Sequence, residues 1–239
     1  MNLNVLIPCF NEEKILYSNV NYLSKKLNSC KYINTYFITL IDDGSVDNTW
    51  KIVSKLNSEN NKIKGIKLSK NFGHLTSLNI GFLKNNSHFV LMLDSDFRSE
   101  WGWTVILKMI KEIKVNNYDI IQIKRNEYKT TKFKKYLSNL FYFLFNLINK
   151  KKIITGAPDF RIMNSKVLKK LRTIERQIFF RKEILCHNFN VKIIEAKQTI
   201  TRKSKFTLLK NLKYVYEIML CSFSQQTYKN INKIIAETI

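Results

Sequence analysis

Cysteine, proline, glycine and acidic residues are all scarce in this sequence. The four cysteines, Cys9, Cys30, Cys186 and Cys221, form no Cys-x-x-Cys pair. That argues against a zinc site or a disulfide framework and for reduced intracellular thiols. The three histidines, His74, His88 and His187, lack metal-ligand spacing and take no role. No basic segment followed by a long apolar stretch opens the chain at Met1-Asn2-Leu3-Asn4, so no signal peptide is expected. No run reaches the roughly 18 apolar residues of a membrane span. The 18 Asp and Glu face 41 Lys and Arg, a net charge of +23. The excess is uneven. Residues 1–100 hold 12 basic and 9 acidic residues, and residues 101–239 hold 29 and 9. A basic half points to an anionic partner, whether nucleic acid, anionic lipid or a phosphorylated substrate. A general lysine, asparagine and isoleucine bias of the chain accounts for part of it.

With 45% hydrophobic residues over 239 positions, the chain can bury a full core, and disorder is not expected. Short apolar runs alternate with helical patterns. Strands are predicted at Leu3–Cys9, Tyr36–Ile41, Ile63–Leu68, His88–Leu93, Asp119–Ile123 and Val191–Ala196. Leu16, Val20, Leu23 and Leu27 recur at helical spacing, and Thr76–Leu83 and Val105–Ile113 also read as helices. This alternation implies an α/β domain with a mostly parallel sheet, whose ligand site lies at the carboxyl ends of the strands. Tyr136–Ile148 is a 13-residue aromatic-rich apolar stretch between Lys132, Lys134, Lys135 and Lys150, Lys151, Lys152. It suits a helix lying in a membrane interface and equally a buried core helix.

The scarce turn formers mark the polar clusters. Pro8 closes the first strand, Pro158 precedes Asp159, and Gly44, Gly73 and Gly156 flank polar groups. Three predicted strands run into acids: Pro8-Cys9-Phe10-Asn11-Glu12, Asp42-Asp43-Gly44-Ser45 and Asp94-Ser95-Asp96. Carboxylates one residue apart at a strand end can hold a hard divalent cation, which in turn holds a phosphate. They can also be turn or cap acids. Ser45 or Asp47 can cap a helix after the second strand, and Asp159 can cap one over 162–172.

Five stretches, "IPCFNEE" (7–13), "LIDDGSVDNT" (40–49), "LSKNFGH" (68–74), "LMLDSD" (91–96) and "GAPDFRIMNSKVL" (156–168), together resemble the family-two glycosyltransferases of the GT-A fold. The resemblance is strongest to the polyprenyl-phosphate (dolichyl-phosphate) sugar transferases and runs from about residue 3 to about residue 225. It implies a GT-A catalytic domain over 1–205, with an interfacial helix near 132–152, and a helical extension over 206–239 without a membrane span. It implies a nucleotide-sugar donor contacted by Pro8, Phe10 and Glu12, by Ile41 and Asp43 at base and ribose, and by Asp94, Ser95 and Arg125 at the diphosphate, with Lys205 at the diphosphate or at a lipid phosphate. Phe10 stands where the family has Tyr, losing a hydroxyl but keeping a ring that can stack. Asp94 and Asp96 correspond to the ligands of Mg²⁺ or Mn²⁺, and Asp159 to the acceptor-side carboxylate, so Asp96 and Asp159 carry the catalysis. The stretch "TRKSKF" (201–206) matches the family only at Ser204 and Lys205, with Arg202 at the glycine position.

The implied activity is metal-dependent, inverting hexosyl transfer to a polyprenyl phosphate in cell-envelope glycan synthesis. The implied location is cytoplasmic, peripheral on the inner face of an anionic membrane. A second reading keeps the fold and makes the acceptor a hydroxyl of a lipid-linked or surface glycan of the lipopolysaccharide or O-antigen type, with Asp159 as base. A third makes the protein a basic nucleic-acid-binding module, which leaves the converging acids unexplained. The leading reading expects no nucleic-acid partner.

Overall fold

The computed structural model describes residues 1–125, 157–174, 178–197 and 234–239. In chain order the elements are β1 (Asn2–Cys9), α1 (Leu16–Asn28), β2 (Thr35–Asp42), α2 (Thr49–Glu59), β3 (Ile63–Leu68) and α3 (His74–Leu83). They continue with β4 (Phe89–Met92), α4 (Phe97–Glu100), α5 (Gly102–Val115), β5 (Ile120–Arg125) and β6 (Arg161–Met163). The last are α6 (Ser165–Arg172), α7 (Phe180–Cys186), β7 (Val191–Ala196) and β8 (Ile235–Thr238).

One eight-stranded sheet carries the order β7-β5-β6-β4-β1-β2-β3-β8. Strands β3, β2, β1 and β4 run parallel. Both faces of this part are covered, so its strands are almost continuously apolar rather than alternating. From β1, Leu3, Val5 and Ile7 enter the core shared with α1 and α5, while Leu6 enters the core shared with α3, α6 and α7. The predicted stripe Leu16, Val20, Leu23 and Leu27 is buried as expected for an amphipathic helix. Helix α3 is buried on most of its circumference, which is why its sequence shows weak periodicity.

Two features of the topology place the site. First, β2 and β4 flank β1 on opposite sides. The connections therefore depart in opposite directions there and leave a crevice at the carboxyl ends of β1 and β4. Second, β6 runs antiparallel between β4 and β5, with Arg161 opposite Met92 and Gln122. Continuing that register sets Asp159, two residues before Arg161, opposite Asp94. A strand that enters the sheet from the crevice edge thus delivers its preceding residues to the same place where the parallel strands end.

The mostly parallel α/β sheet is the expected one, but β6 and β8 were not predicted. At the C-terminus, where a helical extension was expected, Ile235–Thr238 instead form an edge strand antiparallel to β3. Gly65 and Ile239 exchange backbone hydrogen bonds at 2.8 and 2.9 Å beside it. The rest of that extension, the Tyr136–Ile148 stretch, Gly156 and Lys205 lie outside the described residues. Among the described residues no helix is long and apolar enough to cross a membrane.

Gly44 has φ +66°, and a Cβ there would lie 2.4 Å from the carbonyl carbon of Lys70. Left-handed backbone alone costs a non-glycine residue about 1–3 kcal/mol, and here the main chain of 70–71 also blocks the side chain. Gly44→Ala is expected to lower the urea unfolding midpoint by at least that equivalent. An unchanged midpoint would mean that the two loops separate freely.

Candidate active site at the carboxyl edge of the sheet

The loops after β1 and β2 are stitched to each other. Asn11, at φ 54°, donates its N–H to Ser45 Oγ (2.9 Å) and accepts from Val46 N at Oδ1 (3.0 Å). Glu12 N–H donates to Thr49 Oγ1 (2.8 Å), and Glu13 accepts from the Asn48 backbone and amide. The Ser45–Asp47 turn therefore does more than start α2. Pro8 is buried, whereas Phe10 is 36% exposed and presents its ring at the edge. Ile41 is fully buried against Gly81 and Leu6, which leaves its backbone as the part that can meet a ligand.

Asp43 holds a third loop. Its two carboxylate oxygens accept from the N–H groups of Phe72 (2.8 Å) and Gly73 (3.0 Å). Burial raises its carboxyl above the usual value, against the pull of those bonds. The Ser77 side chain bonds the same carboxylate. Asp42 is buried deeper. Its Oδ1 accepts from Ser45 N (3.1 Å), and Oδ2 has no hydrogen-bond partner among the described residues. Burial raises this carboxyl too. Burial also pushes the neighbouring Cys9 thiol well up, with Asp42 and Glu12 adding to the effect, so Cys9 is an inert core thiol.

Leu93 N–H donates to Leu6 O (3.0 Å) and carries the β4 line to Asp94. Asp94 and Asp96 are partly exposed, and Ser95 between them is buried. The Asn19 amide, reaching from α1, donates to Ser95 O (2.9 Å). Asp94 O accepts from Phe97 N and Asp96 O from Ser99 N, so the acids sit on a tight turn closed by the buried Phe97 ring. Among the described residues no group of three or more His, Cys, Asp and Glu could hold a metal. The donors here are two partly exposed carboxylates, with the His74 imidazole 3.7 Å from Asp94 Oδ1. They fit a hard ion that completes its shell with water and diphosphate oxygens, as Mg²⁺ and Mn²⁺ do.

Asp159 is only 8% exposed and is ringed by cations. Arg161 Nη2 donates to its Oδ1 at 2.6 Å. Arg181, from α7, donates from Nε to Oδ1 (3.4 Å) and from Nη2 to Oδ2 (3.3 Å). His74 Nε2 lies 3.8 Å from Asp159 Oδ2 and 3.7 Å from Asp94 Oδ1, bridging the two acids. Burial opposes ionisation of Asp159, but Arg181, Arg161 and His74 outweigh it and hold the carboxyl well below the usual range. The capping alternative for Asp159 is excluded, because Asn164 caps α6 by accepting from Val167 N (3.2 Å). Arg125, ending β5, is half-buried with its guanidinium 5.7 Å from the Trp101 ring centroid.

Four residues of this arrangement escaped the sequence reading. His74 stood in "LSKNFGH" without a partner in view. Arg181 sits 22 positions from Asp159, in one of many basic stretches. Gln122 donates to the carbonyls of Pro158 (2.9 Å) and Phe160 (3.1 Å), fixing the segment that carries Asp159. Asn19 and Gln122 did carry a signal: each is a polar residue inside an apolar pattern, and a buried amide there needs partners.

The sequence pattern of glycosyl transferase family 2 matches residues 4–172. An uncharacterized glycosyltransferase of Bacillus subtilis, YkoT, is 28% identical over 227 residues, covering 90% of this chain and 65% of that protein. The undecaprenyl-phosphate 4-deoxy-4-formamido-L-arabinose transferase of Proteus mirabilis is 25% identical over 226 residues, 92% of this chain and 67% of its own. Among solved structures, residues 1–349 of Staphylococcus aureus TarS, in complex with UDP-GlcNAc, superpose with a TM-score of 0.58 at 19% identity. That match covers 92% of this chain and 65% of TarS. Mycobacterium tuberculosis glucosyl-3-phosphoglycerate synthase, in complex with Mn²⁺, UDP and glucosyl-3-phosphoglycerate, gives 0.57 at 10% identity, covering 94% and 79%. At these identities the structures establish the shared GT-A fold.

Removing the charge of Asp159 takes away the 2.6 Å ion pair of Arg161, which has no exposed surface. Breaking one partner of such a buried pair costs about 3–5 kcal/mol, so Asp159→Asn is expected to destabilise by that order in urea titrations at pH 7. The folded-state value of Asp159 is depressed, so its contribution is full above the unfolded value of about 3.9 and is lost as pH falls below it. The gap between wild type and Asp159→Asn should therefore close in acid. A gap constant from pH 7 to pH 3 would contradict the assignment.

Proposed function

The chain belongs to glycosyl transferase family 2, and from that premise we propose that it moves a sugar from a nucleoside-diphosphate sugar to a polyprenyl phosphate, with inversion, at a membrane surface. The supporting observation is the meeting of two unlike acidic sites at one sheet edge. The Asp94–Asp96 pair is open and contains only oxygen donors. Asp159 is buried, ion-paired and fixed in its charged form. Acids in such different settings take different tasks.

In this reading Asp94 and Asp96 hold Mg²⁺ or Mn²⁺, and the ion supplies the positive charge that stabilises the departing diphosphate. Phe10 stacks on the base, Glu12, Asp43 and the Ile41 backbone line the nucleoside side, and Arg125 and Lys205 approach the phosphates. The acceptor oxygen attacks the anomeric carbon from the side opposite the diphosphate, the side on which Asp159 stands. The setting of Asp159 favours a phosphate acceptor over a hydroxyl. A carboxylate held so far below its usual value is a poor proton acceptor, and a phosphate monoester is already anionic at neutral pH and needs none. Asp159 then orients rather than deprotonates. Undecaprenyl phosphate appears in the name of the Proteus mirabilis relative. The basic-flanked segment 132–152 and the basic C-terminal half supply the two weak signals that together hold a protein on anionic lipid. In this reading the reaction runs on the cytoplasmic face. The chain spans about two thirds of the length of the curated relatives it matches, so the activity of the whole protein is part of the proposal.

Calorimetric titration of UDP, GDP and dTDP, with and without Mn²⁺, tests the donor half. One nucleotide should bind with Mn²⁺ and lose that binding on chelation and in Asp96→Ala. Metal-independent binding, equal in Asp96→Ala, would remove the acids from the donor site. Transfer to a glycan hydroxyl but not to undecaprenyl phosphate would replace the proposed acceptor.

A further inference from the structure

Asp159 has more positive charge around it than one carboxylate requires. Arg161 alone neutralises it. Its contact is short, 2.6 Å, its side chain has no exposure, and its backbone is fixed between β4 and β5. Arg181 is different in each respect. It comes from α7, its contacts with Asp159 measure 3.3 and 3.4 Å, and its side chain is 18% exposed. Contacts of that length lie beyond the normal range for N–H···O bonds. The pair of Arg181 and Asp159 is also one imidazole away from the D-x-D acids, because His74 approaches both Asp94 and Asp159. A partly exposed guanidinium, aligned by a carboxylate that has a second and tighter partner, stands beside the place where the sugar is transferred.

We propose that Arg181 binds the phosphate of the acceptor. It exchanges its long contacts with Asp159 for a two-pronged contact to the phosphate oxygens, the geometry a guanidinium matches best. Asp159 is not stranded by the exchange, since Arg161 stays with it. Arg161 cannot make the same move, since its side chain has no exposed surface and its backbone is fixed between β4 and β5. Before the acceptor arrives, Asp159 keeps the Arg181 fork oriented, which lowers the ordering cost of binding. The assignment rests on the reading that the acceptor is a phosphate, and it makes Arg181 the residue that separates a lipid phosphate from the corresponding alcohol.

The test compares wild type with Arg181→Met, Arg181→Lys and Lys182→Met, the last a control that removes a neighbouring positive charge. Farnesyl phosphate and farnesol serve as binding probes, and nucleotide binding with Mn²⁺ is measured in parallel. Arg181→Met should weaken farnesyl phosphate binding by about tenfold or more, as expected for losing one charge-assisted contact of about 1.4 kcal/mol or more. It should leave nucleotide affinity unchanged and raise KM for the phosphate acceptor more than it lowers kcat. Arg181→Lys should recover part of the affinity, and Lys182→Met should match wild type. Equal farnesyl phosphate affinity in wild type and Arg181→Met would overturn the proposal. So would a loss of nucleotide affinity matching the loss of phosphate affinity, or a wild type that binds farnesyl phosphate no better than farnesol. The last result, with nucleotide binding intact, leaves the donor site standing. Arg181-dependent phosphate binding without sugar transfer would support the site and refute the transfer reaction.

Discussion

The buried pair of Arg161 and Asp159 is the constraint on which the candidate site depends. A guanidinium with no exposed surface must be compensated within the protein, and a carboxylate bonded to it at 2.6 Å is two residues earlier on the same segment. That requirement fixes the course of the chain into β6. It is reinforced by Gln122, which binds the carbonyls on both sides of Asp159. Apolar side chains of similar volume would pack the same space at no electrostatic cost. The pair instead delivers a carboxylate whose charge is settled before any ligand arrives.

The remainder of the site is assembled from loops, but the sheet sets the positions from which they start. Parallel strands β1 and β2 end in register at Cys9 and Asp42, β4 ends at Met92 opposite Leu6, and the change of direction at β1 leaves the gap between them. The loops then lock onto one another: Asn11 and Glu12 onto 45–49, Asp43 onto 72–73, and Asn19 onto the backbone of Ser95. The D-x-D acids thus sit on a turn that is held from α1 below and by Phe97 within. Side chains that would face a ligand are partly open, while the groups that hold them are buried.

The sequence was legible wherever regular periodicity coincides with regular structure. The apolar runs of β1, β2, β3, β4, β5 and β7 were visible, as was the α1 stripe, because burial imposes those patterns directly on composition. The ordered motifs also marked the strand-end acids. Strand β6 was not legible: at three residues it is too short for periodicity to show, and its strand character comes from β4 and β5 on either side. Strand β8 is four residues long and mostly exposed, and it is made a strand by its pairing with β3. The role of Arg181 depends on a contact across 22 residues, and a local pattern carries no trace of which of many cations reaches a given acid. The scaffolding side of a polar residue was not legible either: Asp43, expected at the ribose, also secures a neighbouring loop.

The close approach of Gly44 to the main chain of Lys70 bears on how this site can change over evolution. Position 44 admits no side chain at all, so it is closed to drift and to redesign. Two residues on, Val46 is 90% exposed and tied only through its backbone to Asn11. A mutable position thus stands beside an immutable one on the same rim, with the open Phe10 ring across from it. Variation in the rim can accumulate at Val46 and Phe10 without disturbing the lock beneath, so the face this corner shows to solvent can change while the loop packing under it stays fixed.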